Sequence, residues 1–125
     1  MRRYSREEGQ SLIEFALVLP VLLLLLMGIV DFGRVLSAYL VVSQTARDAV
    51  RYASIGGSNA AVGQAVQRDA GMLGAVSWTM DPTAPTSGQP VSVTVSHTVN
   101  IFDPIMSMVL GSHYAVTATA TMRDE

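Results

Sequence analysis

The side chains able to do chemistry are few in this chain and poorly spaced for acting together. Its two histidines, His97 and His113, stand sixteen residues apart, in none of the spacings that set two imidazoles on one metal ion. Ser112 abuts His113, but neighbours along an extended chain point to opposite sides and make a poor nucleophile and base. Asp31, Asp48, Asp69, Asp81 and Asp103 are dispersed, and Asp81-Pro82 and Asp103-Pro104 read as turn initiators. No phosphate-binding loop, nucleophile elbow or dinucleotide-binding glycine pattern occurs. The absence of cysteine excludes disulfides and thiolate metal sites. These residues predict no enzyme, no cofactor and no metal. One ionisable group still calls for an account. Glu14 stands at the head of an uncharged run from Phe15 to Val30. A carboxylate at a bilayer centre costs about 2.5–3.5 kcal/mol even on lenient insertion scales. An acid here needs either the edge of the span or a partner.

The element that positions Glu14 is the apolar segment Leu12–Val30, 19 residues with that glutamate its only charge. At about 1.5 Å per residue a helix of this length nearly spans the roughly 30 Å hydrocarbon core of a membrane. Cleaved secretory signals have shorter apolar regions, of about 7–15 residues, and small residues flanking the cut. Leu36 spoils the best such cut, after Ala38. A retained anchor is the reading that fits. Arg2, Arg3 and Arg6 precede it, and the positive-inside rule keeps that end in the cytoplasm. Arg34 weakens the bias little, since Asp31 and Arg34 can pair at i, i+3 on a helix.

The rest of the 125 residues can hold one small domain. Half the residues are hydrophobic but only 6% are aromatic, so the apolar surplus is Leu, Val and Ala. The net charge is −2, and the eight basic residues, all arginine, are scattered. Nucleic acid, which selects clustered positive charge, is not a partner on this pattern.

Apolar residues at Val35, Leu36, Tyr39, Leu40, Ala46, Ala49, Val50 and Ala53 keep a helical period, with Gln44, Arg47, Asp48 and Arg51 mostly opposite. One helix is therefore predicted from Gln10 to Ile55, half transmembrane and half amphipathic, with Pro20 as a kink. Ser58 should cap a second helix over Asn59–Leu73, ended by Gly71 and Gly74. The period then changes. "AVSWTM" reads as a strand, with Trp78 a core or interface aromatic, and "DPTAPTSGQP" reads as a loop. "VSVTVSHTVN" alternates Val91, Val93, Val95, His97 and Val99 against Ser92, Thr94, Ser96 and Thr98. "YAVTATATM" does likewise, with Val116, Ala118, Ala120 and Met122 on one side. Between these strands an irregular crossing is expected, with a single helical turn after Pro104. The fold class is α+β: a long N-terminal helix, a short second helix and a small antiparallel three-stranded sheet packed on the amphipathic half.

Several stretches together resemble a known family. Gly9, the Glu14-Phe15 pair, the Leu-Pro at Leu19-Pro20, the Asp-Phe-Gly-Arg of Asp31–Arg34 and "ARDAVRYA" are similar to the N-terminal region of TadE-like proteins, pilin-like components of the Tad/Flp pilus system. The closing "FDPIMSMVLGSHYAVTATATMRDE" resembles the same family more loosely, and residues 55–99 match only in pattern. The resemblance implies a pilin-like fold and a substrate of prepilin peptidase, cut between Gly9 and Gln10 with Glu14 and Phe15 as recognition residues. Glycine suits such a cut, since a backbone without Cβ can lie extended against a protease. Here Glu7 and Glu8 precede it, where pilin leaders are usually basic.

On this reading residues 1–9 are a cytoplasmic leader, 10–33 a transmembrane helix with its exit at Asp31 and Arg34, and 34–125 an extracytoplasmic pilin-like domain. The sheet-bearing domain exceeds what a major pilin carries and points to a minor pilin or pseudopilin. Its partners would be the peptidase, other pilin-like subunits, the pilus assembly machinery and membrane lipid, and its work pilus assembly, secretion-type export and surface adhesion. It would sit in the cytoplasmic membrane and enter an extracellular pilus. The rival is an uncleaved single-pass protein with an extracytoplasmic binding domain.

Overall fold

The computed structural model describes residues 6–125, so Arg2 and Arg3 of the basic leader lie outside the described residues. The chain folds in the order α1 (Arg6–Ser54), α2 (Asn59–Ala70), a 3₁₀ turn (Gly71–Leu73), β1 (Val76–Asp81), β2 (Pro90–Asn100), α3 (Pro104–Leu110) and β3 (His113–Arg123).

The predicted long helix is present and runs 49 residues. It starts at Arg6 rather than Gln10, so Gly9 lies within helix, and it continues through Pro20 without interruption. Every residue from Ser11 to Leu23 is exposed. The helix is long and apolar enough to cross a membrane, and among the described residues none from Ser11 to Val30 is buried. One such N-terminal helix suggests single-pass membrane anchoring.

Beyond Asp31 the same helix turns one stripe inward. Ala38, Val42, Thr45, Ala46, Ala49, Val50 and Ala53 are buried, three or four residues apart. The expected apolar set was partly a different one: Leu36, Tyr39 and Leu40 are 46, 50 and 59% exposed. Small side chains explain the choice of face. Four alanines let the sheet approach the helix backbone closely, and a sheet of three strands covers only one stripe of a cylinder.

The sheet has the strand order β1-β2-β3, antiparallel throughout. Val91, Val93, Val95 and Val99 of β2 are buried against α1, as the alternation predicts, with Met80 from β1 and Val116 from β3 beside them. His97 departs from that face. It is half-buried at the edge of the core, and its Nδ1–H donates to the Ala75 carbonyl at 2.8 Å. The outer face pairs hydroxyls across strands: Ser77 with Ser96 at 2.8 Å, Thr94 with Thr119 at 2.9 Å and Thr121 with Ser92 at 3.2 Å. Such cross-strand pairs hold register on a wet face.

Ser58 caps α2 as predicted, its Oγ accepting from Ala61 N at 3.3 Å. The α-helix ends at Ala70 and the last three predicted residues tighten into the 3₁₀ turn, which leaves Leu73 only half-buried. Gly63 of α2 faces Trp78, and a Cβ there would sit 2.8 Å from the indole Cζ2, so Trp78 packs where only glycine leaves room. The crossing between β2 and β3 holds more structure than expected. α3 is seven residues, two turns rather than one. The Asp103 carboxylate caps it, Oδ1 accepting from Ile105 N at 2.8 Å and Met106 N at 2.9 Å. At the far end of the domain the C-terminal residues clasp α1: Glu125 N donates to Ser54 O at 3.0 Å, and Asp124 N to Gln89 O at 2.8 Å.

Candidate functional site

The residues singled out from the sequence fall into two groups, one at each end of the apolar span. Gly9 and Asp31 are separated by 22 residues of helix, about 33 Å along its axis, and no contact joins the groups.

The first group is Gly9, Gln10, Glu14, Phe15 and Pro20, all exposed on α1. The helical spacing brings Gln10 over Glu14, its amide Nε2 donating to the carboxylate Oε1 at 3.3 Å. Ser11 Oγ donates to the Glu7 carbonyl at 3.1 Å and continues the same turn upstream. Among the described residues a Cβ built on Gly9 meets nothing within 4 Å, so none of them requires glycine at this position. Glycine inside a helix costs roughly 0.8–1.0 kcal/mol against alanine. The fold neither needs this residue nor gains from it. Phe15 is 64% exposed and packs into no core.

The second group is built around Asp31, and here the geometry goes beyond the sequence reading. Asp31 is 1% exposed although it sits at the end of a span otherwise open to its surroundings. Its Oδ1 pairs with Arg34 Nη1 at 3.3 Å, the i, i+3 pair anticipated. Its Oδ2 accepts two backbone N–H groups from the β2–α3 loop, Phe102 at 2.8 Å and Asp103 at 2.6 Å. Arg34 then reaches the same loop, donating from Nη1 to the Asn100 carbonyl at 2.9 Å, with its guanidinium 4.5 Å from the centre of the Phe102 ring. Those contacts join residues 66 to 72 positions apart in sequence.

Asp31 and Arg34 are therefore the joint between anchor and domain. Two N–H groups and one carbonyl of the loop thereby meet charged partners, and charge-assisted bonds are the stronger kind. Gly28, one turn earlier, lets the loop close: its Cβ position lies 3.5 Å from Asp103 Oδ2 and 3.9 Å from Met106 Sδ. Local spacing could not have found Phe102, Asp103, Asn100 or Gly28. The available signal was that Asp-Phe-Gly-Arg and Phe-Asp-Pro were both distinctive, without anything to say that they touch.

Among the described residues no group of three or more His, Asp or Glu side chains could hold a metal ion. His113 Nδ1 is 2.7 Å from Asn100 Oδ1, so both histidines are engaged in hydrogen bonds of the sheet. An apolar groove beside the domain has a volume of about 370 Å³ and is lined by Phe32, Leu36, Tyr39 and Tyr114 among others. No charged residue and no histidine lines it.

In comparison with protein families, residues 9–51 fit the family model described as TadE-like protein. The matched stretch starts at Gly9 and takes in Glu14, Phe15, Pro20, Asp31 and Arg34, so both groups share one family-typed helix. It ends before α2 and the sheet. Neither the curated proteins nor the solved structures contain a match to the chain. The similarity to TadE-like proteins is thus one of the N-terminal helix.

Proposed function

We propose that this TadE-like chain is a minor pilin-like subunit of a Tad pilus system, cut by a prepilin peptidase after Gly9 and held in the cytoplasmic membrane until assembly. The observation that carries the reading is a family match that begins at a glycine with no packing role, five residues before an acid at the mouth of a largely exposed apolar helix. Hydrolysis of the Gly9–Gln10 amide would leave a carboxylate on the leader and an α-amine on Gln10. The first turn must open for an extended substrate to reach a protease, and a glycine there weakens the helix by about the 1 kcal/mol that helps.

Glu14 then has two uses. Before cleavage it lies near the cytoplasmic boundary, where a membrane protease can meet it with Phe15. After cleavage the amine of Gln10 is the nearest cation, four residues and one helical turn away, where the Gln10 side chain already touches the carboxylate. The pairing amine belongs to the same subunit or to a neighbour. Between packed subunits it would set axial register, a matter of specificity more than of stability. On this reading residues 1–9 are the leader, 10–33 the anchor, and 34–125 the domain outside, an orientation that the arginine bias supports. No part of the domain is assigned catalysis; it is built to be carried and to bind other subunits.

The reading is tested in a Tad-piliated host deleted for the matching gene. Tagged wild-type chain should restore surface adhesion and pass into the sheared pilus fraction or its assembly complex, and Glu14→Ala should do neither. Restoration by the Glu14→Ala chain at wild-type level refutes the role given to Glu14. A wild-type chain that never leaves the membrane and restores nothing favours an uncleaved single-pass receptor.

A further inference from the structure

We propose that α3 is a second membrane attachment: a short apolar helix whose free face lies in the leaflet through which α1 emerges. The proposal rests on α1 being a membrane anchor and asks nothing of the pilus. Ile105, Met108, Val109 and Leu110 are 57, 87, 78 and 41% exposed, an apolar patch of a kind that soluble surfaces rarely leave open. No charged side chain occurs from Pro104 to Ser112.

The position of α3 selects lipid as its occupant. The loop that leads into it is bonded to Asp31, and Met106 Sδ lies 3.9 Å from the Cβ position of Gly28. Gly28 stands three residues before Asp31, about 4.5 Å further into the span. α3 therefore starts beside helix that is itself within the apolar segment, where Ile29, Val30 and Phe32 are exposed as well. Arg34 and Phe102 stack directly above, the cation-and-aromatic pairing that suits the headgroup layer.

The N-terminal donors and the hydroxyl of α3 also meet what hydrocarbon demands of them. Asp103 Oδ1 takes the Ile105 and Met106 N–H groups, Asp103 O takes Ser107 N at 2.9 Å, and Ser107 Oγ donates to Pro104 O at 2.9 Å. Its first donors and its one hydroxyl are satisfied within the segment. The segment thus bonds its one hydroxyl internally while leaving Ile105, Met108, Val109 and Leu110 exposed.

The absence of cysteine allows a direct test. Single cysteines replace Met108, Leu22 and Gln64 in the full chain, carry a nitroxide label, and are placed one copy per phosphatidylcholine nanodisc. Collision rates are then measured with oxygen, which concentrates in lipid, and with a water-soluble nickel chelate. The proposal expects the oxygen-to-nickel ratio at Met108 to approach that at Leu22 and to exceed that at Gln64 several-fold. A Met108 label as accessible to nickel as Gln64, with Leu22 in lipid, overturns the proposal and leaves the anchor standing. A Met108 label shielded from both probes means that protein covers α3, which overturns it equally. A Leu22 label in water refutes the anchor reading itself.

Discussion

Replacing Asp103 by alanine isolates one link in the joint between anchor and domain. The carboxylate is 2% exposed, and one of its oxygens accepts the N–H groups of the second and third residues of α3. Removing a capping acid costs about 0.5–2 kcal/mol. Two features place this cap in the upper half of that range. It serves two donors at 2.8 and 2.9 Å, and a helix of seven residues has no length over which to recover the loss. A cost of about 1–2 kcal/mol in local opening corresponds to roughly 5- to 30-fold faster exchange at the protected amides.

The assay is amide hydrogen exchange of the full chain in detergent micelles, resolved at Ile105 and Met106. Asp103→Asn, which retains a side-chain acceptor, should lose much less protection than Asp103→Ala. Strand amides of β2, away from the loop, should not change. Asp31→Ala supplies the contrast. It deprives Phe102 N and Asp103 N of their acceptor, so its effect should begin at those two amides, upstream of the cap. Unchanged exchange at Ile105 and Met106 in Asp103→Ala would refute the capping account, and identical profiles for the two variants would refute the division of labour between the acids.

Three further outcomes follow from the packing and the N-terminal turn. Gly63→Ala gains about 1 kcal/mol in helix propensity but drives a methyl to 2.8 Å from Trp78, so crowding of about 1–3 kcal/mol should leave it neutral to destabilised in denaturant melts; a clear gain in stability would contradict the packing. Val93→Ala removes two buried methyl groups from the centre of the sheet, where Val93 is 0% exposed, and should cost about 2–3 kcal/mol in the same assay. Gly9→Ala should leave the domain's stability unchanged, because nothing lies within 4 Å of the new Cβ, while blocking leader removal; normal cleavage would show that glycine is not what the protease reads.

The long helix was legible because its two halves obey two simple rules, unbroken apolarity as far as Val30 and a period of 3.6 beyond it. β2 and β3 were legible from alternation, in which valine and threonine change places residue by residue. The exact inward stripe of α1 was not. Large residues such as Leu36 and Tyr39 look like core formers, whereas close approach of a sheet selects alanine, a residue that carries almost no hydrophobic signal. α3 was under-read because Pro104 and Gly111 bracket it so tightly that its seven residues resemble a loop. The Gly9–Glu14 group was visible as a motif because its parts lie within one turn or two of each other. The Asp31 joint was not, because it is completed by backbone N–H groups some 70 residues later, and backbone donors leave no trace in side-chain identity.

The account turns on whether the peptide bond after Gly9 is cut. The full chain is to be co-expressed with a prepilin peptidase, extracted from the membrane, and examined by intact mass and N-terminal sequencing. The account predicts a product that lacks residues 1–9 and begins at Gln10 with a free α-amine. A membrane-embedded chain that keeps its leader beside an active peptidase would contradict it.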